Sequence, residues 1–179
     1  MDVDECFKSM KSGFELSGPL WRDMVEAGSR RLQDDSPFNR RTYVRAYFAF
    51  VEGWVWINKQ LALVRHYLSN TPLLSEAEVA LLRDEQYEVK SNGDAVIRTK
   101  FIRLVDNIRF MDKCLDKVGR PTKPLDFESP AWRALKESVE IRNRITHPRT
   151  PEDLDLSDED MKTIQDAANW FAKLQGPSS

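Results

Sequence analysis

Arg142, Asn143 and His147 are the residues of this 179-residue chain whose types and spacing could do chemistry. They close the stretch SPAWRALKESVEIRNRITHPR, where Ser129 and Pro130 open a helix and Pro148 ends it. At about 100° per residue, Ala131, Trp132, Ala134, Leu135, Val139 and Ile145 share one half of that helix, and Arg142 falls in its middle. A guanidinium on an apolar face needs an ion-pair partner, a cleft or an interface. Asn143 borders the same face. His147 follows Arg142 by five residues, at the helix end, where its ring can swing back toward the preceding turn. The three side chains can therefore converge at one tip. An imidazole exchanges protons near neutrality, and a guanidinium offers a permanently charged fork to phosphate oxygens, so the combination suits proton transfer beside a charged oxygen.

The rest of the chain must position that tip, and its pattern is mainly helical. Ser17-Gly18-Pro19 reads as the start of a first helix over 18–33, and Ser36-Pro37 as the cap and first turn of a second reaching Asn70. Within the second, 12 of the 15 residues from Tyr43 to Ile57 are apolar. The run is too short and too charged for a membrane span, which takes roughly 20 apolar residues, so it reads as a helix buried on nearly all sides. Its aromatics (Tyr43, Tyr47, Phe48, Phe50, Trp54, Trp56) read as core. Arg45 and Glu52, seven residues apart, share a face that is a buried ion pair, a ligand-facing stripe or the solvent edge. Ser75 and Glu78 form a capping-box pattern for a third helix to about Asp84. Around Asn92-Gly93 the period changes to a β-hairpin near 87–98, and helical periodicity resumes from Thr99 to Gly119. After the proline-rich linker RPTKPLDFESP come the Arg142 helix, over 130–146, and a last helix over 157–174. The expectation is one domain over 1–179, a bundle of about six helices with a small hairpin insertion and flexible ends at 1–14 and 175–179.

Composition narrows the function. A net charge of −2 excludes a broadly basic polyanion binder, so any nucleic-acid contact must be local. The seven glycines never stand closer than five residues apart, which removes dinucleotide, P-loop and α/β-hydrolase motifs. Two isolated cysteines and two histidines leave neither a disulfide framework nor the ligands for a soft-metal site. No cofactor is expected. The first residues carry no apolar stretch of signal-peptide type, and a cytoplasmic location is expected. The run EDLDLSDED, six acids in nine residues, reads as a solvated loop with Ser157 capping the last helix. Arg30, Arg31, Arg40 and Arg41 read equally as surface.

The run Arg142-Asn143-Arg144-Ile145-Thr146-His147 resembles the Arg-polar-x-x-x-His motif of the HEPN superfamily, small helical bundles named for nucleotide binding in higher eukaryotes and prokaryotes. The order of helices is similar as well: an early apolar helix with one internal acid, here Glu52, then a late motif helix, then a closing helix. The resemblance implies metal-independent RNA cleavage, with His147 moving the protons, Arg142 stabilising the phosphorane and Asn143 orienting the pair. It favours a homodimer in which two copies of His147 supply the acid and the base; His66 is the other histidine available for that part. Such a dimer would also bury the Arg142 face. From Arg133 to Arg149 five cations (Arg133, Lys136, Arg142, Arg144, Arg149) stand against Glu137 and Glu140, which reads as a short phosphate track. Toxin or phage-defence activity, at times with an inhibitory antitoxin-like partner, is what the family context suggests. Beside this stand two other readings: a non-catalytic helical module that binds RNA, a nucleotide or a protein and dimerises, and a plain structural role in which Glu52 partners Arg142 and His147 caps its helix.

Overall fold

The computed structural model describes residues 3–120 and 124–175. The elements run α1 (Val3–Gln33), α2 (Pro37–Leu68), α3 (Glu76–Leu82), β1 (Glu85–Val89), β2 (Ala95–Thr99), α4 (Leu104–Lys117), α5 (Pro130–Thr146), a 3-10 turn (Pro151–Leu154) and α6 (Asp158–Gln175). The molecule is mainly α, with six helices and one antiparallel hairpin in which Tyr87 faces Ile97. Among the described residues no helix is long and apolar enough to cross a membrane. Pro121–Lys123 of the proline-rich linker and the tail after Gln175 lie outside the described residues.

The chain divides into two compact units, one formed by 1–15 and 54–124, the other by 16–53 and 125–179. In the first unit, Gly13 comes so close to α2 that a Cβ there would meet the Trp56 ring at 2.7 Å. Cys6 is fully buried. These contacts carry the helix back to Val3, so Pro19 lies inside α1 rather than at its start. Pro19 removes one backbone donor but leaves its neighbours free to stay helical, and burial outweighs the cap signal. Lys59, 1% exposed, is neutralised by Asp84 at 2.5 Å. Asp84 itself takes the left-handed conformation (φ 57°) that turns the chain from α3 into β1. The Ser75–Glu78 capping box forms as expected. Gly93 at the hairpin tip has φ 87°, which explains the Asn-Gly signal. The hairpin extends to Thr99, and α4 starts only at Leu104, because ladder pairing up to Glu85–Thr99 claims residues whose apolar spacing looked helical. Tyr87, Val89 and Ile97 remain exposed on it.

The second unit packs α5 against α6. Its core joins Tyr47, Phe50 and Phe171, with ring centroids 6.5 and 6.0 Å apart, to Trp132, which meets Trp170 edge-on at 6.0 Å. Leu135, Ile145 and Ile164 are buried beside them. Ser129 caps α5 by accepting the Trp132 amide, as its position before Pro130 implies. Ser138, buried on α5, donates to the Ala134 carbonyl at 2.7 Å and to that of Thr163 on α6 at 3.3 Å. Along the α2 portion of this unit one narrow strip stays open, through Arg45, Ala49 and Glu52.

Candidate functional site

The open strip of α2 and the last turns of α5 run antiparallel and meet through polar groups. Glu52 Oε1 pairs with Arg142 Nη2, and Arg45 Nη2 donates to the Ile145 carbonyl at 3.1 Å. Between them in sequence, Phe48 lies under the guanidinium, 5.6 Å from ring centroid to the central carbon. The spacing 45, 48, 52 is one helix face, so both ends of the clamp come from a single stripe. Arg142 is 23% exposed at its side chain and Glu52 47%. Burial pulls the Arg142 pKa down from the ordinary guanidinium value, and the group keeps its charge. A half-exposed pair of this kind stabilises by about 1 kcal/mol or less.

Asn143 ties the motif together. Its Oδ1 accepts from Arg142 Nη1 at 3.0 Å, and its backbone carbonyl accepts the His147 amide at 2.9 Å. Thr146 Oγ1 donates to the Arg142 carbonyl at 2.7 Å. Arg45, through the Ile145 carbonyl, meets one of the acceptors that a helix end leaves open. His147 is the C-cap, at φ −125° and ψ 57°, the non-helical conformation expected ahead of Pro148. Its side chain is exposed. The structure thus brings Arg142, Asn143 and Glu52 into direct contact and sets His147 at the open end of the same turn. The partner named from sequence for Arg142, Glu52, is the one it has, so the charge on an apolar face is met within the chain and does not require a second copy.

His66 is engaged elsewhere. Its Nδ1 accepts the amides of Leu73 and Leu74, both at 3.2 Å, closing the turn between α2 and α3. That is a local cap of the chain after the helix.

The acidic run is largely exposed and caps the last helix, as expected, but several of its groups are also bonded to the helices beside it. Asp160 and Ser157 form a reciprocal cap at the start of α6, and Asp160 also takes Arg144 at 2.9 Å. Arg144 further donates to the Asp155 carbonyl at 3.1 Å. Asp153 accepts the amides of Arg149 and Thr150 at 2.7 and 2.9 Å. Arg40, far from plain surface, donates to the Leu156 carbonyl and to Asp158 at 2.8 and 2.6 Å, and Arg41 to the Leu154 carbonyl at 3.1 Å. Asp158 and Asp160 are therefore countercharges of Arg40 on α2 and Arg144 on α5, and loop carbonyls accept from Arg40, Arg41 and Arg144. Of the proposed phosphate track, Arg144 is committed to Asp160, while Arg133, Lys136 and Arg149 are exposed. Beside Arg144 an open cleft is lined by Glu140, Glu152, Asp155 and Asp160, four carboxylates that disfavour a phosphate there.

Sequence reasoning placed Arg45 on the Glu52 face and the acidic run at the start of α6, but missed Phe48 under the guanidinium and Asp160 as the partner of Arg144. The signals were present: Phe48 lies one turn from Glu52, and Ser157-x-x-Asp160 is a capping-box spacing. Among the described residues no group of three or more His, Cys, Asp or Glu is placed to hold a metal ion. Both cysteines are buried and neither forms a disulfide; burial pushes the Cys114 thiol up to about 12. The chain matches no protein-family model, no curated protein and no solved structure.

Proposed function

We propose that the chain is a metal-independent endoribonuclease of the HEPN type, with Arg142, Asn143 and His147 as its site. The observation that supports this reading is a guanidinium fixed by Glu52, Asn143 and Phe48 near the end of α5, with an exposed imidazole five residues on at the C-cap of the same helix. Arg142 uses one N–H toward Glu52 and one toward Asn143, which leaves other donors of its fork for phosphate oxygens. In the reaction His147 takes the proton of a ribose 2′-OH, the 2′-oxygen bonds to phosphorus, and the P–O5′ bond breaks to leave a 2′,3′-cyclic phosphate. A second acid must protonate the 5′-oxygen. His66 already accepts two backbone amides, so the second acid is assigned to His147 of another copy.

A second reading, a non-catalytic helical module, is favoured by one observation: Glu52 neutralises Arg142, the arginine that would face the phosphate. Incubating the purified chain with single-stranded and structured RNA in EDTA separates the two. The ribonuclease reading expects cleavage to 5′-hydroxyl and cyclic-phosphate ends, lost by at least about 100-fold in both Arg142→Ala and His147→Ala. Intact RNA with the wild type, or equal cleavage by His147→Ala, leaves the binding module.

A further inference from the structure

The ribbon formed by β1 and β2 has two unlike faces and an open edge. Odd-numbered residues share one face, where Tyr87 is 67% exposed, Val89 72% and Ile97 58%; Phe101, just past β2, is 92% exposed. The other face carries Gln86, Glu88, Val96 and Arg98. A ribbon of two strands is marginal in water, and stability comes with a third or fourth strand. The backbone shows where one would join. Lys90 donates to the Asp94 carbonyl at 2.9 Å and Lys100 to that of Asp84 at 2.6 Å, so even-numbered residues bond across the ribbon. The N–H and C=O groups of Ala95, Ile97 and Thr99 therefore point away from β1, along the outer edge of β2, and all three residues are exposed. The outer edge of β1 differs, because α3 leads straight into that strand and packs against it.

We propose that the outer edge of β2 is a self-association site, where β2 of a second copy of the chain adds antiparallel to complete a four-stranded sheet. The occupant follows from register and charge. A twofold axis through Ile97 is the register that pairs all five residues of β2 and sets outward groups against outward groups: Ile97 meets Ile97 of the second copy, and Ala95 meets Thr99. Tyr87 already faces Ile97 within each ribbon, so a row of Tyr87, Ile97, Ile97 and Tyr87 then crosses all four strands. Just past the strand ends the same axis sets Lys100 of one copy against Asp94 of the other, opposite signs, and does so twice. It also brings Phe101 beside Gly93 of the second copy, where a Cβ would meet nothing within 4 Å, so the most exposed ring falls over open backbone. On the polar face Arg98 meets Val96 of the second copy and keeps its own Glu88 at 3.1 Å. An axis one residue further on would set Arg98 against itself. A twofold join of β1 edges would need Asp84 for Lys90, and Asp84 already holds Lys59. A join of β1 to β2 would not close and would run on as a fibre. Every residue of this site lies in the first unit, and the inference does not rest on the ribonuclease reading.

Sedimentation equilibrium and cysteine cross-linking of the full chain test it. The wild type is expected to dimerise with a Kd of about 1–100 µM, as suits one added strand per copy. Ile97→Pro removes only an outward N–H, which an edge strand tolerates, and is expected to weaken association by at least about tenfold with the circular dichroism spectrum unchanged. Lys100→Asp alone and Asp94→Lys alone weaken it, and the two together restore it. Cys6 and Cys114 are buried, so an introduced thiol reports alone. Ile97→Cys is expected to form an intermolecular disulfide on mild oxidation, since the paired Cα atoms would stand about 5.5 Å apart, and Val89→Cys, also exposed but on β1, to do so at least about tenfold more slowly. A wild type still monomeric at about 1 mM, association unchanged by Ile97→Pro, equal cross-linking at the two positions, or a double charge swap no better than the single ones would overturn the proposal. In the first of these outcomes the edge is left to an extended segment of another protein.

Discussion

The C-terminal tip of α5 and the outer flank of α1 are both helix surfaces where residue type and position disagree. At the tip a guanidinium stands on an apolar face; along α1 a row of aromatic and aliphatic side chains stands in water. The tip resolves its conflict inside the chain, through Glu52, Asn143 and the Phe48 ring. On α1, Leu32 keeps 80% of its surface and Phe14 57%. A charge can be satisfied by one carboxylate on a neighbouring helix, because a single short ion pair meets most of its need. Apolar surface is relieved only in proportion to the area covered. The charge of Arg142, which looks from sequence as though it needs a second copy, is therefore met within the chain.

Substitutions at the two regions should behave oppositely. Phe48→Ala removes a fully buried ring together with the platform under Arg142, and is expected to cost about 3–5 kcal/mol in urea denaturation without changing association. A loss under about 1 kcal/mol would mean that the tip relaxes and is less braced than its geometry indicates. Glu52→Gln is expected to cost about 1 kcal/mol, less at high salt, since the pair is part-exposed. No loss at low salt would detach Arg142 from Glu52. Leu32→Glu, at a residue 80% exposed, should leave unimolecular stability within about 0.5 kcal/mol of wild type in the same denaturation.

Acid provides a finer probe of the same corner. Burial pushes the Asp160 carboxyl up, but the Ser157 amide and the Arg144 guanidinium outweigh it and hold the group below the ordinary aspartate value. The unfolded chain then binds the proton first as pH falls. The contribution is full above about pH 5 and is lost as pH drops through the folded-state value, below about 4. Asp160→Asn should flatten the acid limb of stability against pH in that window, and an unchanged limb would assign it to other carboxylates. The smallest expected effect on stability is that of His147→Ala, within about 0.5 kcal/mol, because the ring is exposed and its amide, not its side chain, makes the cap bond. If the same variant abolishes RNA cleavage, the ring acts in chemistry and not in folding.

Much of this was legible in advance where the signal is local. The Ser75–Glu78 box, the Ser129-Pro130 start and the Asn92-Gly93 tip each depend on a few adjacent residues, and each formed where the pattern placed it. Helix bounds were harder. Pro19 looked like a first turn because the contacts that hold the preceding helix, Gly13 against Trp56 and the burial of Cys6, involve residues far away in sequence. Thr99 looked helical because cross-strand pairing leaves no mark at its own position. Of the candidate site, the Arg142–Glu52 pair could be named; spacing also set Phe48 one turn from Glu52 and Asp160 at a cap, but it does not tell a core ring from one under a cation or a capping acid from an ion-pair partner.

What the amino-acid sequence determined by itself is the helical class, the caps and turns, the spacing of glycines that allows no glycine-loop motif, and the placing of Arg142, Asn143 and His147 on one helix end. All follow from periodicity, composition and bonds spanning a few residues. The tertiary structure decided which charges are spent. It gave Arg142 to Glu52, Arg144 to Asp160 and His66 to the amides of Leu73 and Leu74, and it left the outer flank of α1 in solvent. Those assignments depend on which helix lies beside which, and burial and Coulomb energies are set by that proximity rather than by position along the chain.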